Sequence, residues 1–151
     1  MCGFVGYRGK ESLQVLDRNF SKISHRGPDK TSFEEITPGR LPFFNSGPRA
    51  VLWFHRLAIN GLDAESGQPM NLGEKGLKHL WLVCNGEIYN YKNLAKKYGF
   101  KLKTNSDCEI ILHMFSKFDL GRTCRELDGV FAFCIYDDRQ DVIYSARDRY
   151  G

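Results

Sequence analysis

The sequence predicts one mixed α+β domain whose strands pair antiparallel. Short runs rich in β-branched and aromatic residues recur at 3–7, 50–59, 79–84, 130–136 and 142–147, each bounded by Gly, Pro, Asn or Asp. Segments with apolar residues three and four apart separate some of these runs, which is helical spacing. The last two runs flank Asp137-Asp138-Arg139-Gln140 and read as a hairpin buried on both faces. With 151 residues, 42% of them hydrophobic, the chain can bury one core, and no repeat, low-complexity tract or linker divides it.

In chain order, Gly3 and Gly6 bracket a Phe-Val pair, suiting a strand whose backbone something approaches closely. From Glu11 to about Ser24, Leu13, Leu16, Phe20 and Ile23 form one stripe and leave Asp17, Arg18 and Lys22 for solvent, predicting an amphipathic helix. His25-Arg26-Gly27-Pro28-Asp29 stops it as an ordered turn, with Gly27 as a cap residue. A strand is expected near 32–36, then a Pro/Gly-rich loop from Pro38 to Pro48. The run at 50–59 is interrupted by His55 and Arg56, polar groups that need partners in a core and so suggest a site. Residues 60–76 read as loop and 92–98 as a helix. Ser106-Asp107-Cys108-Glu109 has the spacing of a capping box ahead of an Ile110, Ile111, Met114, Phe115, Phe118 face.

Composition excludes several classes. A net charge of +4 from 22 basic and 18 acidic residues, spread without blocks, indicates no dedicated nucleic-acid face. No apolar run reaches the ~18 residues of a membrane span and no secretory leader opens the chain, so a cytoplasmic protein without membrane contact is expected. Five cysteines, an odd number without a CxxC pair, fit neither a disulfide framework nor a zinc knuckle and read as reduced thiols. No phosphate-binding loop is present and no metal site is expected.

The chemistry-bearing residues are ordinary one by one. If Met1 is removed, Cys2 carries a thiol and a free α-amine whose ordinary pKa of about 8 leaves a neutral fraction, so one residue supplies nucleophile and base. Asn85-Gly86 is either a two-residue hairpin turn or a pair of donors, one side-chain amide and one uncrowded backbone N–H, aimed at a single oxygen. Arg56 either reaches solvent or binds a carboxylate through its planar fork. Asp107 either sits favourably against a helix dipole or, with Glu87, holds an ammonium. Together they describe a receptor for a free α-amino acid. His25 is assigned no chemistry.

Met1-Cys2-Gly3, the His25–Asp29 pentapeptide, Arg56-Leu57-Ala58-Ile59, Gly67-Gln68-Pro69, Asn85-Gly86-Glu87-Ile88-Tyr89-Asn90, Ser106–Glu109, Leu127–Phe133 and Ala146–Gly151 occur in that order. This pattern resembles the class II glutamine amidotransferase domain of the glutamine-hydrolysing asparagine synthetases and spans the whole chain. The resemblance implies the N-terminal-nucleophile hydrolase fold, an αββα sandwich of antiparallel sheets. It also implies that Cys2 is the nucleophile and that Asn85 and Gly86 form the oxyanion hole. Arg56 would bind the glutamine α-carboxylate, Glu87 and Asp107 its α-amine, and the main chain around Ile59 would help seat it. Arg26 would lie in the turn under the site. In that family further strands and an ATP-dependent synthetase domain follow, so the chain reads as one glutaminase domain over 1–151, C-terminally truncated. No cofactor is expected in it, since ATP and magnesium would belong to the absent domain. A synthetase domain or partner chain is expected to cover the exposed sheet edge. The alternative is a truncated, non-catalytic interaction domain that pairs with or imitates a full-length synthetase.

Overall fold

Alternation along the strands sorts the apolar side chains into three cores, and these cores define four layers. The computed structural model describes residues 2–37, 49–57, 67–73 and 75–150, which form six strands and four α-helices. One sheet has the order β1 (Gly3–Gly9), β3 (Arg49–Arg56), β2 (Lys30–Ile36), and the other β4 (Leu80–Ile88), β5 (Gly129–Asp137), β6 (Val142–Arg147). Every pairing is antiparallel.

β3 shows why its run reads as continuously apolar. Val51 and Trp53 face outward and pack with Phe20, Leu13, Leu16 and Ile23. Ala50, Leu52 and Phe54 face inward against Val83 and Tyr136 of the second sheet. A strand buried on both faces has no polar alternation to display. On the far side, Leu82, Cys84, Phe133 and Ile135 pack under Leu94, Ile110, Ile111 and Met114. The layers are therefore helix, sheet, sheet, helix, as the resemblance implies. Gly6 lies where the sheets approach, with Cys134 Cβ and Leu52 Cδ2 each 3.4 Å from where a Cβ would stand.

Several local expectations change. The first helix, α1 (Leu13–Phe20), starts at Ser12, whose hydroxyl accepts from Val15 N–H at 3.3 Å. It ends earlier than its stripe and passes into a 3-10 turn over Ser21–Arg26 that still carries Ile23 into the core. Ser21 Oγ donates to Asp17 O there, a local bond that competes with continued helix. Gly27 caps the 3-10 turn as expected, its N–H donating to Ser24 O at 3.0 Å, with φ −146°. A Cβ on it would stand 2.2 Å from His55 O, so close passage against β3 requires glycine. The hairpin is buried on both faces only along β5; β6 is an outer strand with Val142 39% exposed.

α2 (Tyr91–Tyr98) closes on Gly99 at φ 71°, and α3 (Glu109–Lys117) and α4 (Leu120–Glu126) complete the outer layer. The capping box does not form. Glu109 N–H bonds Ser106 O at 3.2 Å, and the Glu109 side chain reaches past Ser106 to Lys103 N–H and Thr104 N–H at 2.8 and 2.7 Å. The helix thus begins three residues after the serine.

At the end where β1 finishes, Arg8 Nε donates to Asp141 Oδ1 at 2.6 Å, and Tyr136 OH donates to the same oxygen at 2.9 Å. This clasp joins the first sheet to the β5–β6 turn. Burial, reinforced by the Asp141 bond, pushes the Tyr136 phenol up, so the clasp keeps its proton at physiological pH.

α2 and α4 meet at Glu126, which accepts from Lys97 Nζ at 2.8 Å, Tyr98 OH at 2.5 Å and Arg122 Nε at 3.2 Å. The Lys97 bond first, then Tyr98, pulls its carboxyl down to about 2 from an ordinary 4.5. A depressed carboxyl stabilises the fold above its ordinary pKa, and that contribution is lost as pH falls through 4.5 towards 2. Glu126→Gln should therefore lower the urea midpoint at pH 7. The difference from the unsubstituted chain should shrink between pH 4.5 and about 2, read from paired denaturation curves.

Candidate active site

The site lies at the other end of the sandwich, where β1 begins and β3 ends. Cys2 precedes β1 and points between the sheets with Phe4. Gly3 pairs with His55, so the sulfur sits beside the last residues of β3. Leu57 N–H donates to Cys2 Sγ at 3.3 Å, and Sγ lies 3.5 Å from Leu57 O. Arg26 Nε donates to Cys2 O at 3.4 Å. The Gly27 turn is held on the same strand end by Asp29 N–H to Arg56 O at 3.1 Å.

His55, which the sequence marks as part of a site, is structural. It is 2% exposed and stacks on Phe20 with ring centroids 4.1 Å apart. Its Nε2–H donates to Phe20 O at 3.2 Å and its Nδ1 accepts from the Thr31 hydroxyl at 2.7 Å. Both ring nitrogens are thus satisfied within the fold.

Asn85-Gly86 is not a turn. Both residues lie inside β4, opposite Ala132 and Phe131, so the hairpin reading is set aside. Gly86 has φ +150°, and a Cβ there would stand 2.1 Å from Val130 O; glycine is required. Asp107 Oδ2 accepts from Ile88 N–H, which fixes its carboxylate beside the strand. Glu109 holds the loop that carries it. Burial of Glu109, 0% exposed, opposes ionisation. Donors from His113 Nε2 at 3.0 Å, Lys103 N–H, Thr104 Oγ1 and Thr104 N–H outweigh that and keep its carboxyl below the ordinary value.

One cavity of about 450 Å³ gathers these groups. Cys2, Arg56, Asn85, Gly86, Glu87 and Asp107 all line it; Ile59 lies outside the described residues. Its charge is sorted by layer. Arg26 and Arg56 come from the side of the first sheet, and Glu87, Asp107 and Asp148 from that of the second. A cavity of this size with opposed charges fits a small zwitterion. Sequence reasoning missed Gln68, Ser106, Cys108 and Asp148, which also line it. Asp148 Oδ1 accepts locally from Tyr150 N–H at 2.7 Å, while Oδ2 accepts from Phe131 N–H at 2.9 Å across 17 residues, a bond that leaves no local signal. Glu109 did leave one, a lone acid in an apolar helix with histidine four residues on.

Among the described residues no group of three His, Cys, Asp or Glu side chains could hold a metal ion, and no helix is long and apolar enough to cross a membrane.

The chain belongs to the glutamine amidotransferase domain family, whose model matches residues 1–151. It is 39% identical over 153 aligned residues to a glutamine-hydrolysing asparagine synthetase of Gallus gallus, and 38% to that of Homo sapiens. Each alignment takes in 100% of this chain and 25% of the relative, so the chain spans a quarter of the length of these curated relatives. The solved structure of the allosteric regulatory enzyme of purine biosynthesis superposes on 91% of this chain and 36% of its own, with a TM-score of 0.69 at 20% identity. That likeness shows a shared fold.

The thiols around the cavity differ in reactivity. Cys84 is 2% exposed, and the neighbouring Cys108 thiol together with burial pushes its thiol well up. Cys2 is half-buried. Limited iodoacetamide at pH 7.5 should therefore alkylate Cys2 well ahead of Cys84 and Cys108, as read by peptide mass mapping. Equal labelling of Cys84 would contradict the burial described.

Proposed function

We propose that this chain hydrolyses glutamine to glutamate and ammonia in the cavity at the Cys2 end of the sandwich, and that the ammonia feeds asparagine formation in a longer synthetase. The single observation that carries the hydrolysis is the cavity's composition, a thiol at one end with arginines and carboxylates on opposite walls. The asparagine-forming context rests on the names of the relatives and on the quarter of their length that the chain matches.

Free glutamine is a zwitterion with a side-chain amide. Arg56 takes the α-carboxylate bidentately, and Glu87 and Asp107 take the ammonium, which sends the amide towards Cys2. Removal of Met1 frees the Cys2 α-amine. That amine accepts the thiol proton through a water molecule, and the thiolate attacks the amide carbon. The tetrahedral oxyanion accepts hydrogen bonds from Asn85 Nδ2 and Gly86 N–H; one such donor is worth about 3–4 kcal/mol in the transition state. The ammonium returns its proton to the departing nitrogen and ammonia leaves a γ-glutamyl thioester. Water, giving a proton to the amine, adds to the thioester; glutamate departs and the thiol is restored. No cofactor enters either step.

Cys2→Ala should abolish ammonia release from glutamine while leaving the denaturation midpoint in place, and turnover in that variant would mean another nucleophile. Intact-mass analysis of the purified chain must show Met1 absent, because a retained methionine blocks the amine and favours the non-catalytic alternative. Arg56→Lys should raise KM for glutamine by about tenfold or more with a smaller change in kcat, as loss of bidentate binding requires. An unchanged KM would remove Arg56 from the carboxylate role.

A further inference from the structure

We propose that Gln68 is a positioning residue for the oxyanion hole: its side chain stands in for a strand at Cys84, the step before Gly86. The proposal rests on the glutaminase reading above.

In an antiparallel strand, backbone N–H groups alternate between the two edges. Leu82, Cys84 and Ile88 all turn theirs away from β5, as their partners show, and Gly86 shares that parity. At Leu82 the partner is backbone: Leu82 N–H bonds Met70 O at 2.9 Å and Met70 N–H bonds Leu82 O at 2.8 Å. At Cys84 it is a side chain. Cys84 N–H donates to Gln68 Oε1 at 2.5 Å, and Gln68 Nε2 donates to Cys84 O at 3.1 Å. At Ile88 it is the Asp107 carboxylate. Gly86 lies between the last two, lines the cavity, and its N–H has no hydrogen-bond partner among the described residues.

Two residues on from the Met70–Leu82 pair, the next backbone pair along this edge would join residue 68 to Cys84, but the Gln68 side chain meets the strand there instead. A carboxamide is the neutral side chain that donates and accepts on one face, as a peptide group does. Gln68 therefore completes the pair at Cys84 through its side chain. Its own carbonyl accepts from the Ser32 hydroxyl on β2, which references the carboxamide to the sheet that carries Cys2. Gln68 thus links the nucleophile's sheet to the donor's strand two residues before the donor, and it sets where Gly86 N–H points relative to Cys2.

The test uses the chain with Met1 removed, as Gln68→Met and Gln68→Glu, measuring glutamine hydrolysis and the rate at which iodoacetamide alkylates Cys2. Gln68→Met removes both bonds at similar volume. A displaced donor should lower kcat by roughly 10- to 100-fold. KM and the alkylation rate, which need no oxyanion donor, should stay within about twofold. In Gln68→Glu a carboxylate oxygen meets Cys84 O and the donor is lost. Protonation restores it, so the ratio of variant to unsubstituted kcat should climb as pH falls from 8 to 5.5. Wild-type kcat in Gln68→Met, a change confined to KM, or a flat pH ratio in Gln68→Glu overturns the role while leaving the glutaminase reading standing. An unsubstituted chain whose Cys2 alkylates but which releases no ammonia overturns both.

Discussion

A backbone N–H at a covered sheet edge needs an acceptor, and leaving one unpaired costs about 1–3 kcal/mol. The outer edge of β4 meets this demand with three different groups in succession: a backbone carbonyl from Met70, the Gln68 carboxamide, and the Asp107 carboxylate. Two of the acceptors come from residues 68–70 and the third from the turn before α3, so satisfying the strand also assembles the cavity wall. Among the described residues Gly86 N–H has no such acceptor, and Gly86 opens onto the space beside Cys2.

The sandwich divides the chemistry between its halves. The sulfur and two arginines belong to the side of the first sheet, the Asn-Gly pair and three carboxylates to the second. Their separation is set by close packing rather than by a connecting loop. Gly6 lets β1 run close to Cys134, Gly27 lets the 25–29 turn press on the end of β3, and the Arg8–Asp141–Tyr136 clasp closes the far end. Glu109 extends the arrangement to the helical layer, since four hydrogen bonds to its carboxylate hold the loop that delivers Asp107. A buried acid so fully partnered is costly to disturb, and its neighbours inherit that rigidity.

Much of the layout was legible beforehand because it depends on periodicity. The α1 stripe, the strand run of β3 and the β5–β6 pairing all repeat a local rule several times over. The misreadings came where one residue had to be assigned from its type alone. His55 looked like a site residue because a polar group interrupts an apolar run, yet Phe20 and Thr31 satisfy both its nitrogens. Ser106 and Glu109 have capping-box spacing, but the carboxylate found better-placed donors at residues 103 and 104.

By itself the sequence determined the class of the fold, the family, and the residue types from which a zwitterion receptor with a nucleophilic thiol can be made. These follow from composition, spacing and short motifs, all of which are local. Only the tertiary structure decided that Asn85-Gly86 lies in a strand rather than a turn, that six of the seven expected site residues share one cavity, and that Gln68 borders it. The physical reason is that a hydrogen-bond donor carries no record of its acceptor. Cys84 meets Gln68 across 16 residues, Ile88 meets Asp107 across 19 and Thr31 meets His55 across 24, and those choices are made when the layers close.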